Sequence, residues 1–99
     1  MSKMGTMVCV CPDGKETFHP SQKMDFKKAY ELIGCDCIAP FKVRFRGKVR
    51  DAYVDDNGFV TQPNDNPFIQ YYAEAYYKGP CQTFKGAAVI WVPNQEITE

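Results

Sequence analysis

Between Lys42 and Arg50 every second residue is a cation: Lys42, Arg44, Arg46, Lys48 and Arg50 alternate with Val43, Phe45, Gly47 and Val49. A period of two belongs to extended backbone, where successive side chains point to opposite faces. A helix would scatter both sets around its circumference. The segment therefore reads as a strand, or as a hairpin folded at Arg46-Gly47-Lys48, with an apolar face against a core. In an extended ribbon all five cations project from the other face.

The rest of the pattern surrounds this ribbon with short elements. Met7, Val8, Cys9, Val10 and Cys11 form an apolar run too short for a helix, which predicts a central strand from Gly5 to Cys11. Pro12-Asp13-Gly14-Lys15 carries turn chemistry and predicts a return strand from Lys15 to His19. Ser21 or Asp25 caps a helix to Ile33, with Phe26, Ala29, Tyr30 and Ile33 on one face and Gly34 as the stop. Strands follow over Cys37–Phe45 and Val49–Val54. Asp55-Asp56-Asn57-Gly58 reads as a type I′ hairpin turn leading to a third strand, Phe59–Gln62. Asn66 and Pro67 open a second helix whose buried face holds Phe68, Ile69, Tyr72, Ala75 and Tyr76, and Gly79-Pro80 ends it. Gly86–Val92 is an apolar last strand, and Pro93–Glu99 a loose tail.

These elements predict an α+β fold: one compact domain over residues 1–99, core about 7–92, mainly antiparallel sheet with two helices in the order ββαβββαβ. With 99 residues, 44% of them hydrophobic, the chain can close one core. No apolar run approaches the roughly 18 residues of a membrane span, and Met1–Met7 lacks the apolar core of a signal peptide. A cytoplasmic protein with no membrane partner is expected. The odd count of five cysteines argues for reduced, buried thiols over a disulfide framework.

Order and turns together resemble a family of small proteins labelled domain of unknown function 3846. The residues that carry the likeness are Val54-Asp55-Asp56-Asn57-Gly58, Gln62-Pro63-Asn64-Asp65-Asn66-Pro67, and Phe84-Lys85-Gly86-Ala87-Ala88-Val89, with the Asp13-Gly14 turn and the Leu32-Ile33-Gly34 helix end. Members occur in bacteriophages, mobile elements and large viruses, so the resemblance implies a viral or mobile-element accessory protein. It brings no catalytic residues with it. The chain departs from the usual pattern in its cysteines and tyrosines and in an insert-like segment, Lys78–Thr83.

Chemistry concentrates on the ribbon. All three arginines lie in it with no acid between, so it carries +5 against −5 for the remaining residues. Cations two residues apart on a strand are roughly 7 Å apart, and in water each such pair repels by only about 0.6 kcal/mol. The row can stand as a solvated edge that discourages strand pairing or meets Asp51 and Asp55. It can equally seat phosphates, since an arginine fork makes charge-assisted bonds of roughly 1.5–3 kcal/mol each. The ligand-binding set on this reading is Lys42, Arg44, Arg46, Lys48 and Arg50, joined by Tyr77, which lies opposite the buried face of its helix.

Other constellations carry less. Cys9-x-Cys11, Cys35-x-Cys37 and Cys81 lack the spacing of a structural zinc site, so no metal and no cofactor is expected. His19, the one histidine, has no cysteine placed beside it by sequence, and no enzyme activity is expected. Asp55 and Asp56 fit turn chemistry. The expected function is thus sequestration of a phosphate-bearing ligand, such as a nucleotide signal of host immunity. The alternatives are a module that inhibits a host protein through exposed aromatics and a sheet edge, and a weak nucleic-acid binder using the same ribbon. A homo-oligomer is expected as well.

Overall fold

The computed structural model describes residues 5–35, 37–79 and 84–93. Its elements are β1 (Gly5–Val10), β2 (Glu16–Ser21), α1 (Phe26–Ile33), β3 (Ile38–Phe45), β4 (Lys48–Asp55), α2 (Gly58–Thr61), α3 (Pro67–Tyr77) and β5 (Ala88–Val92). The five strands form one sheet in the order β2-β1-β5-β4-β3, antiparallel at every pairing. The last strand is therefore the middle one, and β1 lies one place in from an edge.

The sheet is covered on both faces, which explains why β1 and β5 read as unbroken apolar runs. On one face α1 packs Ala29 and Ile33 against Met7 and Val89. On the other, α3 packs Ile69 and Ala73 among Val8, Val10, Val43, Phe45, Ala52, Val54, Ile90 and Val92. Ala73 was not in the face expected for this helix, whereas Phe68 was and is 43% exposed. Phe68 packs instead over the first turn, where a Cβ at Gly14 would approach its ring to 2.8 Å.

Caps fall where the side chains allow them. The Asp25 carboxylate accepts from Lys28 N–H, and the left-handed Gly34 donates its N–H to Tyr30 C=O at 2.8 Å. Asn66 caps α3 ahead of Pro67, and the helix closes on Lys78 in the left-handed region, one residue before the expected Gly79. The Asn66 side chain is fully buried: Nδ2 donates to Val10 C=O (2.9 Å) and Gly86 C=O (2.8 Å), while Oδ1 accepts from Ile69 N–H. One amide thus ties β1, α3 and the approach to β5. At Gly86 φ is +83°, and a Cβ there would meet the Gln62 side chain at 2.7 Å.

The expected third strand of the middle group does not form. Asn57 has φ −106° instead of the positive φ of a type I′ turn, and Gly58–Thr61 is the short helix α2. The cause is Asp55, whose buried carboxylate accepts from Asn57 N–H (2.9 Å), Thr61 Oγ1 (2.5 Å) and Gln62 Nε2 (2.9 Å). Those donors curl the chain back onto the end of β4, and a hairpin would pull them away. The order is ββαββααβ. Among the described residues no helix is long and apolar enough to cross a membrane. The expected tail beyond Pro93 and most of the insert-like Lys78–Thr83 segment lie outside the described residues.

Candidate functional site

The cationic ribbon is the β3–β4 hairpin. Arg46 and Gly47 form its two-residue tip, both with positive φ (53° and 82°), the geometry that matches the twist of antiparallel strands. A two-residue tip pairs Phe45 with Lys48, Arg44 with Val49, Val43 with Arg50 and Lys42 with Asp51. Paired residues share a face, so the parity of the pattern reverses at the tip. Lys42 and Arg44 lie on the α1 face, and Lys48 and Arg50 on the α3 face. The expected single row of five does not exist; a straight strand would have kept it, and the turn breaks it.

Each cation has its own surroundings. Arg50, expected in the exposed row, is buried on the core side beside Val43. Arg46 bends over the α3 face: its guanidinium lies 5.2 Å from the Phe45 ring centroid, 5.7 Å from that of Phe18, and its Nη2 3.6 Å from Glu16 Oε1. Phe18 and Glu16 belong to β2, at the opposite edge of the sheet. The sheet therefore coils round α3 until the hairpin tip meets the far edge, and Tyr72 of α3 joins the cluster by donating from its hydroxyl to Glu16 Oε2 and packing edge-on against Phe45. Lys48 is exposed.

Lys42 makes an ion pair with Asp51 across the hairpin, and that hydrogen bond holds its ammonium above the usual lysine range. Its backbone N–H, on the outer rim of the edge strand, donates to the Tyr77 hydroxyl at 3.3 Å. Tyr77 thus stands beside the ribbon through the main chain and occupies an open edge group. Arg44 is exposed and has no ion-pair partner among the described residues.

A second feature was not expected. The end of α1, with Tyr30, Glu31, Gly34 and the following Cys35, and the end of β4, with Asp55, Asn57 and Thr61, enclose an open cavity of about 510 Å³. Burial alone would raise the Asp55 carboxyl, but the hydrogen bonds from Gln62, Thr61 and Asn57 outweigh it and hold the group below the ordinary carboxylate range. Asp55 is therefore an anion at neutral pH. Phe26, a turn before Tyr30, sets its ring edge-on to Tyr53 at 5.3 Å. Burial, and then Asp51, push the Tyr53 phenol upward while Lys42 pulls it down, so that ring borders the ion pair. The sequence does carry a signal for this cavity. The Phe26, Ala29, Tyr30, Ile33 face is wider than an eight-residue helix buries, and Phe26 and Tyr30 are what it leaves over.

Apart from Cys35 at the cavity, the described thiols and the histidine stand away from both features. Cys9 is buried, Cys11 and Cys35 are half-buried, and Cys37 is exposed, against the expectation of burial; Cys81 lies outside the described residues. Burial and the neighbouring Cys11 push the Cys9 thiol up to about 12, so it is no thiolate at neutral pH. In register Cys9 faces Thr17 and His19 faces Met7. The Thr17 hydroxyl lies 2.9 Å from His19 Nε2, and burial, followed by Lys28, lowers the imidazole. Among the described residues no three His, Cys, Asp or Glu side chains gather as metal ligands. Comparisons with protein-family profiles, with curated proteins and with solved structures find no match for this chain.

Proposed function

We propose that the chain is a non-enzymatic accessory protein that binds a phosphate-bearing ligand at the β3–β4 hairpin, with Lys42 and Arg44 as its contacts. The observation that carries this reading is Arg44, an exposed guanidinium with no ion-pair partner among the described residues, next to Lys42 on the same face. A guanidinium fork matches two phosphate oxygens at once. Lys42 keeps further ammonium hydrogens to donate beside its bond to Asp51. The accessory role rests on the likeness to the phage and viral family named above.

The test is calorimetric titration of the full chain with inorganic tripolyphosphate, before and after Arg44→Ala combined with Lys42→Gln. Loss of at least about tenfold in affinity is expected, given roughly 1.5–3 kcal/mol for a charge-assisted contact. Unchanged binding by the double variant sinks the proposal. A second reading, binding to a nucleic-acid backbone, is favoured by the cations that Arg46 and Lys48 add round the hairpin tip. It predicts affinity that falls steeply with salt and does not depend on sequence.

A further inference from the structure

On the α1 face of the sheet the β4 side chains run Val49, Asp51, Tyr53, Asp55, and opposite them on β3 stand Arg44, Lys42, Pro40 and Ile38. The helix lies along the same line. Phe26 meets Tyr53, and Tyr30, four residues later and on the same side of α1, lines the cavity that Asp55 closes. The hairpin cations, the rings and the cavity are thus successive parts of one strip. Its chemistry is graded: guanidinium and ammonium at one end, aromatic rings in the middle, the carboxylates of Glu31 and Asp55 at the other. Alternate positions on a strand are roughly 7 Å apart, so the distance along β4 is about 13 Å from the Asp51 row to Asp55 and about 20 Å from the Val49 row.

We propose that this strip is a nucleotide site, with the polyphosphate on Arg44 and Lys42, the base against Phe26 and Tyr53, and the edge of the base in the cavity, donating to Glu31. The inference rests on the phosphate-binding reading and names its ligand class. Phe26 is 47% exposed despite its contact with Tyr53, which leaves ring surface for a base. Asp55 already accepts three hydrogen bonds, so the exposed Glu31 is the acceptor open to an exocyclic amino group. Nothing lies within 4 Å of a Cβ position at Gly34, so the cavity is open at that point of its lining. The gradient fixes the orientation: Glu31, the Asp55 anion and the carbonyl end of α1 repel phosphate from the cavity, and the cations attract it at the far end. α1 has no basic residue in its last turn to cancel that field. Lys48 and Arg50, on the other face, take no part.

The full chain would be titrated with GTP, ATP and inorganic tripolyphosphate at fixed ionic strength, with far-UV circular dichroism to confirm that each variant folds. At least one nucleoside triphosphate is expected to bind about tenfold or more tightly than tripolyphosphate. Phe26→Ala should abolish that advantage and leave tripolyphosphate affinity as it was. Glu31→Gln, at an exposed position that cannot unfold the chain by cavity formation, should weaken the nucleotide and not tripolyphosphate. Arg44→Ala should weaken all three ligands, and Lys48→Ala none. Nucleotides that bind no better than tripolyphosphate, or Phe26→Ala and Glu31→Gln both without effect, overturn the nucleotide inference and leave the phosphate reading standing. Equal losses from Lys48→Ala and Arg44→Ala overturn the choice of face. No binding of any of the three ligands overturns the phosphate reading and this inference together.

Discussion

Replacing Asn66 tests whether the fold depends on one buried amide. Asn66→Ala removes two donor bonds, to Val10 and Gly86 C=O, and the acceptor bond that caps α3 at Ile69 N–H. Each such bond has a net worth of roughly 0.5–1.5 kcal/mol, so the loss should be about 3 kcal/mol. For a domain near this size, about 4–8 °C per kcal/mol converts that to a fall in Tm of roughly 12–24 °C. Urea unfolding followed by Trp91 fluorescence gives the equilibrium value, and circular dichroism the Tm. Asn66→Asp separates the two halves of the side chain. It keeps the cap but turns a carboxylate oxygen toward two carbonyl oxygens, which raises the acid in the folded state above its unfolded value near 3.9. Below its raised folded value the folded state binds a proton that the unfolded state lacks, so the damage shrinks as pH falls toward 3.9. A loss below about 0.5 kcal/mol for Asn66→Ala, or an Asn66→Asp penalty that does not change with pH, would refute the reasoning.

The native Asp55 should behave in the opposite sense. Its folded carboxyl is held below the ordinary value of 3.8, so its contribution is present above that value and is lost as pH falls through the folded one. Thr61→Val with Gln62→Leu should flatten the acid limb of stability below the ordinary carboxyl value of 3.8, and an unchanged limb would refute the role given to these donors. Thiol labelling of the native chain with a maleimide, read by peptide mass spectrometry, should modify Cys37 in the folded chain and Cys9 only after denaturation. Equal rates at the two would contradict the burial assigned to them.

Much of the fold was legible because local chemistry and tertiary packing agree. Asp25 and Gly34 bracket α1, Asn66 with Pro67 opens α3, and the alternation through Val43 and Phe45 declares a strand whichever way the hairpin turns. The misreading at Asn57-Gly58 has a nameable cause. The dipeptide favours a hairpin, but Asp55 recruits donors two, six and seven residues ahead, and a turn rule that looks only at neighbours does not count them. The ribbon failed differently. Its period was read correctly, and its sidedness depended on whether the turn has an even or an odd number of residues. The cavity shows in the sequence only as a helix face wider than eight residues bury, and its place depends on how far that short helix covers the sheet.

The middle place of β5 bears on how the chain is made. β1 with β2 and β3 with β4 are hairpins that close over short loops, so each can pair while synthesis is still under way. They have no strand contact with one another until the residues from Ala88 onward arrive to fill the gap. Before that moment a nascent chain holds two half-sheets with bare inner edges, an arrangement open to pairing with neighbouring chains. The last of these five strands to be synthesised is thus the one that turns two local structures into a single cooperative unit.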